Sequence, residues 1–145
     1  MSLGDPSILL AEEAIDLIGD IGRLNQHALS AQEMLEDKDK SYAITWFMFN
    51  TRSLKSNLIL LAFSLDAQER PLSYFQRLAD VEPPESYITI NDLGTVFDTF
   101  RSKFDNLKQA YSKYAEVNRL ARVFFVEAET QLKLMSWNLK QAKEA

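Results

Sequence analysis

The 145-residue sequence has no cysteine, one histidine (His27), four glycines and four prolines. Without cysteine there is no disulfide framework, no thiolate nucleophile and no Cys-containing zinc or iron–sulfur site. One histidine removes His-rich metal sites and di-iron bundles, which need Glu-x-x-His pairs on two helices. Basic excess is missing too. Sixteen Lys and Arg face 21 Asp and Glu, a net charge of −5, and general nucleic-acid binders take their affinity mainly from cations on phosphates. The longest apolar run, Leu58-Ile59-Leu60-Leu61-Ala62-Phe63, is far short of the roughly 20 residues of a membrane span. No basic n-region opens the chain, so a secretory signal is not expected and the expected location is the cytoplasm. Phosphate-loop, zinc-protease and nucleophile-elbow motifs are missing, and no cofactor or metal is expected. At 46% hydrophobic and 26% charged residues, the chain has a globular composition, and its length fits one domain over residues 1–145.

What is present is helical periodicity. Prolines stand at Pro6, Pro71, Pro83 and Pro84, leaving residues 7–70 and 85–145 free of the main helix breaker. A first helix over about 6–36 starts at Asp5-Pro6, an N-cap acid followed by proline at the first helical position. Its seam is Leu10, Ala14, Leu17, Ile21, Leu24, Ala28, Ala31 and Leu35, at alternating four-three spacing. Gly19 and Gly22 interrupt it, and read either as sites of a close helix approach or as weak points of the helix. The charged run Glu36-Asp37-Lys38-Asp39-Lys40 marks a turn. A second helix over about 41–69 has the seam Ile44, Phe47, Thr51, Leu54, Leu58, Leu61 and Leu65. Its off-seam Trp46, Met48, Phe49, Ile59, Leu60 and Phe63 make it apolar on more than one side, which predicts a central helix with several neighbours. A short helix over 72–80 and a loop connect it to the rest.

The third predicted helix, 91–143, opens with Thr89-Ile90-Asn91-Asp92, a capping box with Asp in place of Glu. Its seam runs through Leu93, Phe97, Phe100, Phe104, Leu107, Tyr111, Tyr114, Asn118, Ala121, Phe125, Ala128, Leu132, Met135, Leu139 and Ala142. About 50 residues at 1.5 Å each make a rod of roughly 75 Å, longer than its two predecessors at roughly 45 and 40 Å. The fold expected is therefore all-α, an elongated antiparallel bundle of three long helices plus a short connecting helix. The surplus length of the third helix is the expected place of function.

Candidate sites follow from that picture. Glu12, Glu13, Asp16 and Asp20 read as the wet face of the first helix, and His27 as a boundary residue. Phe97, Phe100, Phe104, Tyr111 and Tyr114 read as internal packing. Asn118, polar in the middle of an apolar seam, reads either as register control or as a contact to a partner's backbone. Between Val117 and Trp137 the apolar face widens, which reads either as a core helix packed on two sides or as an exposed face in which Phe124, Phe125, Leu132, Met135, Trp137 and Leu139 seat an amphipathic helix from a partner protein. Charge is uneven along the chain, net −6 over residues 1–69 and +2 over 92–145. The reading is a non-enzymatic chaperone or adaptor. Its alternative is a structural or sensory helical module that forms a homodimer through the long C-terminal helix.

Two stretches resemble the flagellar export chaperones that escort hook–filament junction proteins, the FlgN-like family. They are Asp39-Lys40-Ser41-Tyr42-Ala43-Ile44 with Leu54-Lys55-Ser56-Asn57-Leu58 and Leu61, and Glu116-Val117-Asn118-Arg119-Leu120-Ala121 with Glu129-Thr130-Gln131-Leu132-Lys133-Leu134-Met135. The resemblance implies a cytoplasmic all-helical chaperone whose C-terminal amphipathic segment binds an export substrate and keeps it unassembled.

Overall fold

The computed structural model describes residues 6–116 and 118–144. Every regular element among them is a helix. They are α1 (Pro6–Glu33), α2 (Lys38–Leu65), the short α3 (Leu72–Arg77), α4 (Ile90–Ser112) and α5 (Ala121–Glu144). Helix starts follow local chemistry. Pro6 takes the first position of α1, while Asp5, the expected cap, lies outside the described residues. Asp37 caps α2, its carboxylate accepting from the backbone N–H groups of Asp39 (2.8 Å) and Lys40 (3.0 Å). At α4, Thr89 and Asp92 form the expected reciprocal capping box.

The four long helices form a bundle in which every neighbouring pair is antiparallel. Gln32 of α1 donates to the Ser41 carbonyl at 2.9 Å, closing the α1–α2 hairpin. Asn50 donates to Asn138 (2.8 Å) and Asn57 to Gln131 (2.7 Å), fixing α5 against α2. Lys108 pairs with Glu129 across α4 and α5 at 2.9 Å, and Lys103 pairs with Asp20 across α4 and α1. Around the ring the order is α1, α2, α5, α4. Because α2 and α4 occupy opposite corners and run the same way, residues 66–89 must travel back along the molecule, a single long crossover of the kind helix bundles tolerate. It lies over α1, where a Cβ on Gly22 would come within 2.3 Å of the Ala79 carbonyl oxygen. The close approach expected at Gly22 is thus to the crossover; a Cβ at Gly19 would meet only the Arg23 side chain.

The 75 Å third helix does not form. The chain turns between Lys113 and Leu120, and the C-terminal half folds back as α5. The four helices are then of comparable length, about 42, 42, 34 and 36 Å, and all four inner seams share one core. Asn118 holds the turn. Its side-chain oxygen accepts from the Ala121 N–H (3.4 Å), its amide donates to the Ser64 carbonyl (3.1 Å), and its own carbonyl accepts from the Tyr111 hydroxyl (2.5 Å). Instead of setting register in a continuous seam, it acts in the manner of an N-cap for α5. Asn118→Ala is expected to lower stability by about 1–2 kcal/mol, and Asn118→Asp, which keeps the acceptor, by less. Urea-unfolding midpoints check this, and equal midpoints for all three proteins would contradict it.

The start of the crossover is held by charge. The Asp66 side chain is 2% exposed. It accepts from Arg70 Nη2 at 2.8 Å and from the Arg70 and Gln68 backbone N–H groups at 3.0 and 3.3 Å. The Arg70 hydrogen bond, outweighing desolvation, holds the Asp66 pKa below its ordinary 3.8. The folded state therefore favours the carboxylate, and that stabilisation is complete above 3.8 and lost as pH falls through the lower folded value. Asp66→Asn is expected to destabilise the protein at about pH 6 and to close the gap to the native chain at about pH 2, read from unfolding midpoints at both pH values.

Candidate functional site

Seven positions on the outer side of α2 repeat the four-three spacing of its inner seam. They are Tyr42, Trp46, Phe49, Ser53, Ser56, Leu60 and Phe63. At 3.6 residues per turn these fall on one stripe, roughly opposite Phe47, Leu54 and Leu61. All five apolar members are exposed, Trp46 and Phe49 by 55% and 57%. Their rings meet edge to face, with centroids 5.7 Å apart. At the far end Phe63 is steadied by an edge contact to Phe75 of α3 at 6.0 Å. Ser53 and Ser56 form a notch between the two bulky ends.

The stripe continues onto α5. With Asn50–Asn138 and Asn57–Gln131 closing the seam between the helices, the outward side of α5 carries exposed Val123, Leu134 and Trp137, the last at 59%, with exposed Leu120 just before the helix begins. An aromatic side chain covers 150–250 Å² when fully buried. Tyr42, Trp46, Phe49 and Trp137, all more than half exposed, therefore contribute on the order of 400 Å², which with the aliphatic residues exceeds what a monomer ordinarily leaves to solvent.

The residues nominated from sequence are divided by the fold. Phe125, Leu132, Met135 and Leu139 are buried in the bundle core. Phe125 stacks on Tyr111, centroids 4.5 Å apart, and lies 5.8 Å from Phe104. Phe124 is half-buried against the same core. Only Trp137 reaches the outer face, and Asn118 is engaged at the turn. Burial pushes the Tyr111 phenol pKa up, against the opposing charge of Arg122. Val117 lies outside the described residues. The stripe itself belongs to the off-seam residues of α2. Of these, Met48 and Ile59 do meet neighbours, as a central helix would require, whereas Trp46 and Phe49 are more than half exposed and Leu60 and Phe63 are partly so.

Polar candidates are placed as side chains of the bundle. Asp20 pairs with Arg23 (2.5 Å) and with Lys103; Glu12, Glu13 and Asp16 are exposed on α1. The His27 Nδ1 sits 2.6 Å from the Arg23 carbonyl. Among the described residues no three His, Asp or Glu side chains come together as a metal-holding group, and no helix is long and apolar enough to cross a membrane. A polar crevice of about 420 Å³ lies beneath the crossover, with Asn25 and Gln26 on one wall and Arg52 and Lys55 on the other. The chain matches no protein-family model, no curated protein and no solved structure.

Proposed function

We propose that the protein is a non-enzymatic helical chaperone or adaptor that holds an amphipathic helix of a partner protein on the outer face of the α2/α5 pair. The observation that carries this reading is the second four-three stripe on α2. A strand or an irregular segment has no use for that spacing, whereas a helix laid along it meets apolar anchors at both ends, Tyr42, Trp46 and Phe49 at one and Leu60 and Phe63 at the other. Aromatic anchors rimmed by polar residues are the usual composition of such a seat. The flagellar export chaperone class, suggested by the Asp39–Leu61 and Glu116–Met135 patterns, gives this face a concrete role in the cytoplasm. It would cover the helix of a hook–filament junction protein until export. Deleting the chain beyond about residue 117 is a poor test, because it removes one helix of the four-helix core. Trp46→Asp with Phe49→Asp, which touches only the outer stripe, tests it directly. Loss of helix binding supports the reading, and undiminished binding contradicts it.

The alternative occupant is a second copy of the chain. The fold-back replaces the expected C-terminal rod with α5, and a homodimer through that helix would use its exposed outer side, beside the α2 stripe. Light scattering separates the two, since only the dimer reading requires mass to double with concentration.

A further inference from the structure

We infer that the helix received by the α2/α5 face is an acidic one, carrying Asp or Glu on both flanks of its apolar seam; this rests on the helix-docking reading above and specifies its partner. The face is an apolar strip between two lines of cations. On the α1 side Lys38, Thr45 and Arg52 recur every seven residues, and Thr45 marks the direction of that line by accepting a hydrogen bond from Gln32 of α1 at 2.8 Å. Lys38 and Arg52 are both exposed. On the α4 side exposed Arg122 and Lys133 border the groove between α4 and α5 beside Val126. Glu129, in the same groove, is already paired with Lys108. None of Lys38, Arg52, Arg122 and Lys133 makes an ion pair among the described residues.

On the two helices of the face acids are few, although Asp80 and Glu82 of the crossover line the crevice that Arg52 borders and exposed Asp39 neighbours Lys38. Between Lys40 and Leu65 the α2 sequence contains none, and among the described residues Glu127 is the one exposed carboxylate on the strip side of α5. The opposite side of the bundle has the other sign, since α1 bears Glu12, Glu13, Asp16, Asp20 and Glu33 against Arg23. A helix with acidic flanks is therefore drawn to the α2/α5 face and turned away from α1, and a basic helix meets the reverse. The same pattern disfavours a second copy on this face, because Lys38 and Arg52 of two protomers would approach one another across the stripe.

Two labelled peptides of about 28 residues test the inference. They share one leucine seam at four-three spacing, and one carries Glu on both flanks and the other Lys. Titrated with the full chain at low salt, the Glu-flanked peptide is expected to bind at least about tenfold more tightly, with the difference shrinking at high salt. Arg52→Glu with Lys133→Glu is expected to reverse the preference. Equal affinities, or tighter binding of the Lys-flanked peptide, would overturn the acidic partner while leaving helix docking intact. Failure of both peptides to bind would remove both.

Discussion

Trp46→Asp combined with Phe49→Asp is expected to weaken binding of an amphipathic helix by about 100-fold or more while leaving the bundle folded. Interface anchors of this kind each contribute about 2 kcal/mol or more on truncation, and a carboxylate adds the penalty of desolvating a charge against the incoming apolar seam. The fold has little stake in either ring. Trp46 is 55% and Phe49 57% exposed, and neither belongs to the buried core. Asp ranks beside Trp and Phe in helix propensity, so the two exchanges cost the helix only about a few tenths of a kcal/mol. Circular dichroism and thermal melting should thus be close to those of the native chain while peptide anisotropy shows the loss. A variant that binds as well as the native protein would place the partner elsewhere.

Met135→Asp is expected to do the opposite and unfold the protein. Met135 has no exposed surface and lies on α5 in the shared core with Leu132 and Leu139. Removing a buried methionine costs about 2–5 kcal/mol, and an unpaired carboxylate in its place adds several more. Against a typical total of about 5–15 kcal/mol, that exhausts most or all of the stability. Met135→Leu, nearly equal in volume, should cost less than about 1.5 kcal/mol. If instead Met135→Asp retained native helicity and lost only partner binding, Met135 would be a surface anchor and the four-helix core would be wrong.

The contrast between these variants separates what helical spacing reveals from what it hides. Inner seams of α1 and α2 and the Thr89–Asp92 capping box follow from spacing and local hydrogen-bond chemistry, and the structure contains each of them; the turn expected over 36–40 lies at residues 34–37, because Asp37 of that charged run caps α2. Spacing also predicts the single 91–143 helix, because Tyr111, Asn118 and Phe125 stay seven residues apart across the turn, with no glycine or proline between 113 and 120. The break is carried by tertiary contacts to Asn118, above all the Ser64 carbonyl 54 residues earlier in the chain. The sequence holds one clue to it, the mismatch between a 75 Å rod and shorter partners, which a fold-back resolves as simply as an overhang does.

Spacing leaves open which apolar side chains are exposed for a related reason. Periodicity fixes the angle at which a side chain leaves its helix, but not which angles a neighbour covers. Phe125, Leu132, Met135 and Leu139 share an apolar angle that α5 turns toward the core. Trp46, Phe49, Leu60 and Phe63 share another, over which only the short α3 packs, through Phe75 against Phe63 at one end. Only the ring order α1, α2, α5, α4 tells the two apart.

Trp46 and Trp137 are the only tryptophans in the chain, and both stand more than half exposed on the α2/α5 face. Their fluorescence therefore reports directly on whether a helix docks there. In the free protein both should be accessible to a soluble quencher. Adding the Glu-flanked peptide should shift their emission to the blue and protect them from quenching, in step with the anisotropy of the labelled peptide. Peptide binding that leaves tryptophan emission and quenching unchanged would contradict the assignment of this face as the docking site.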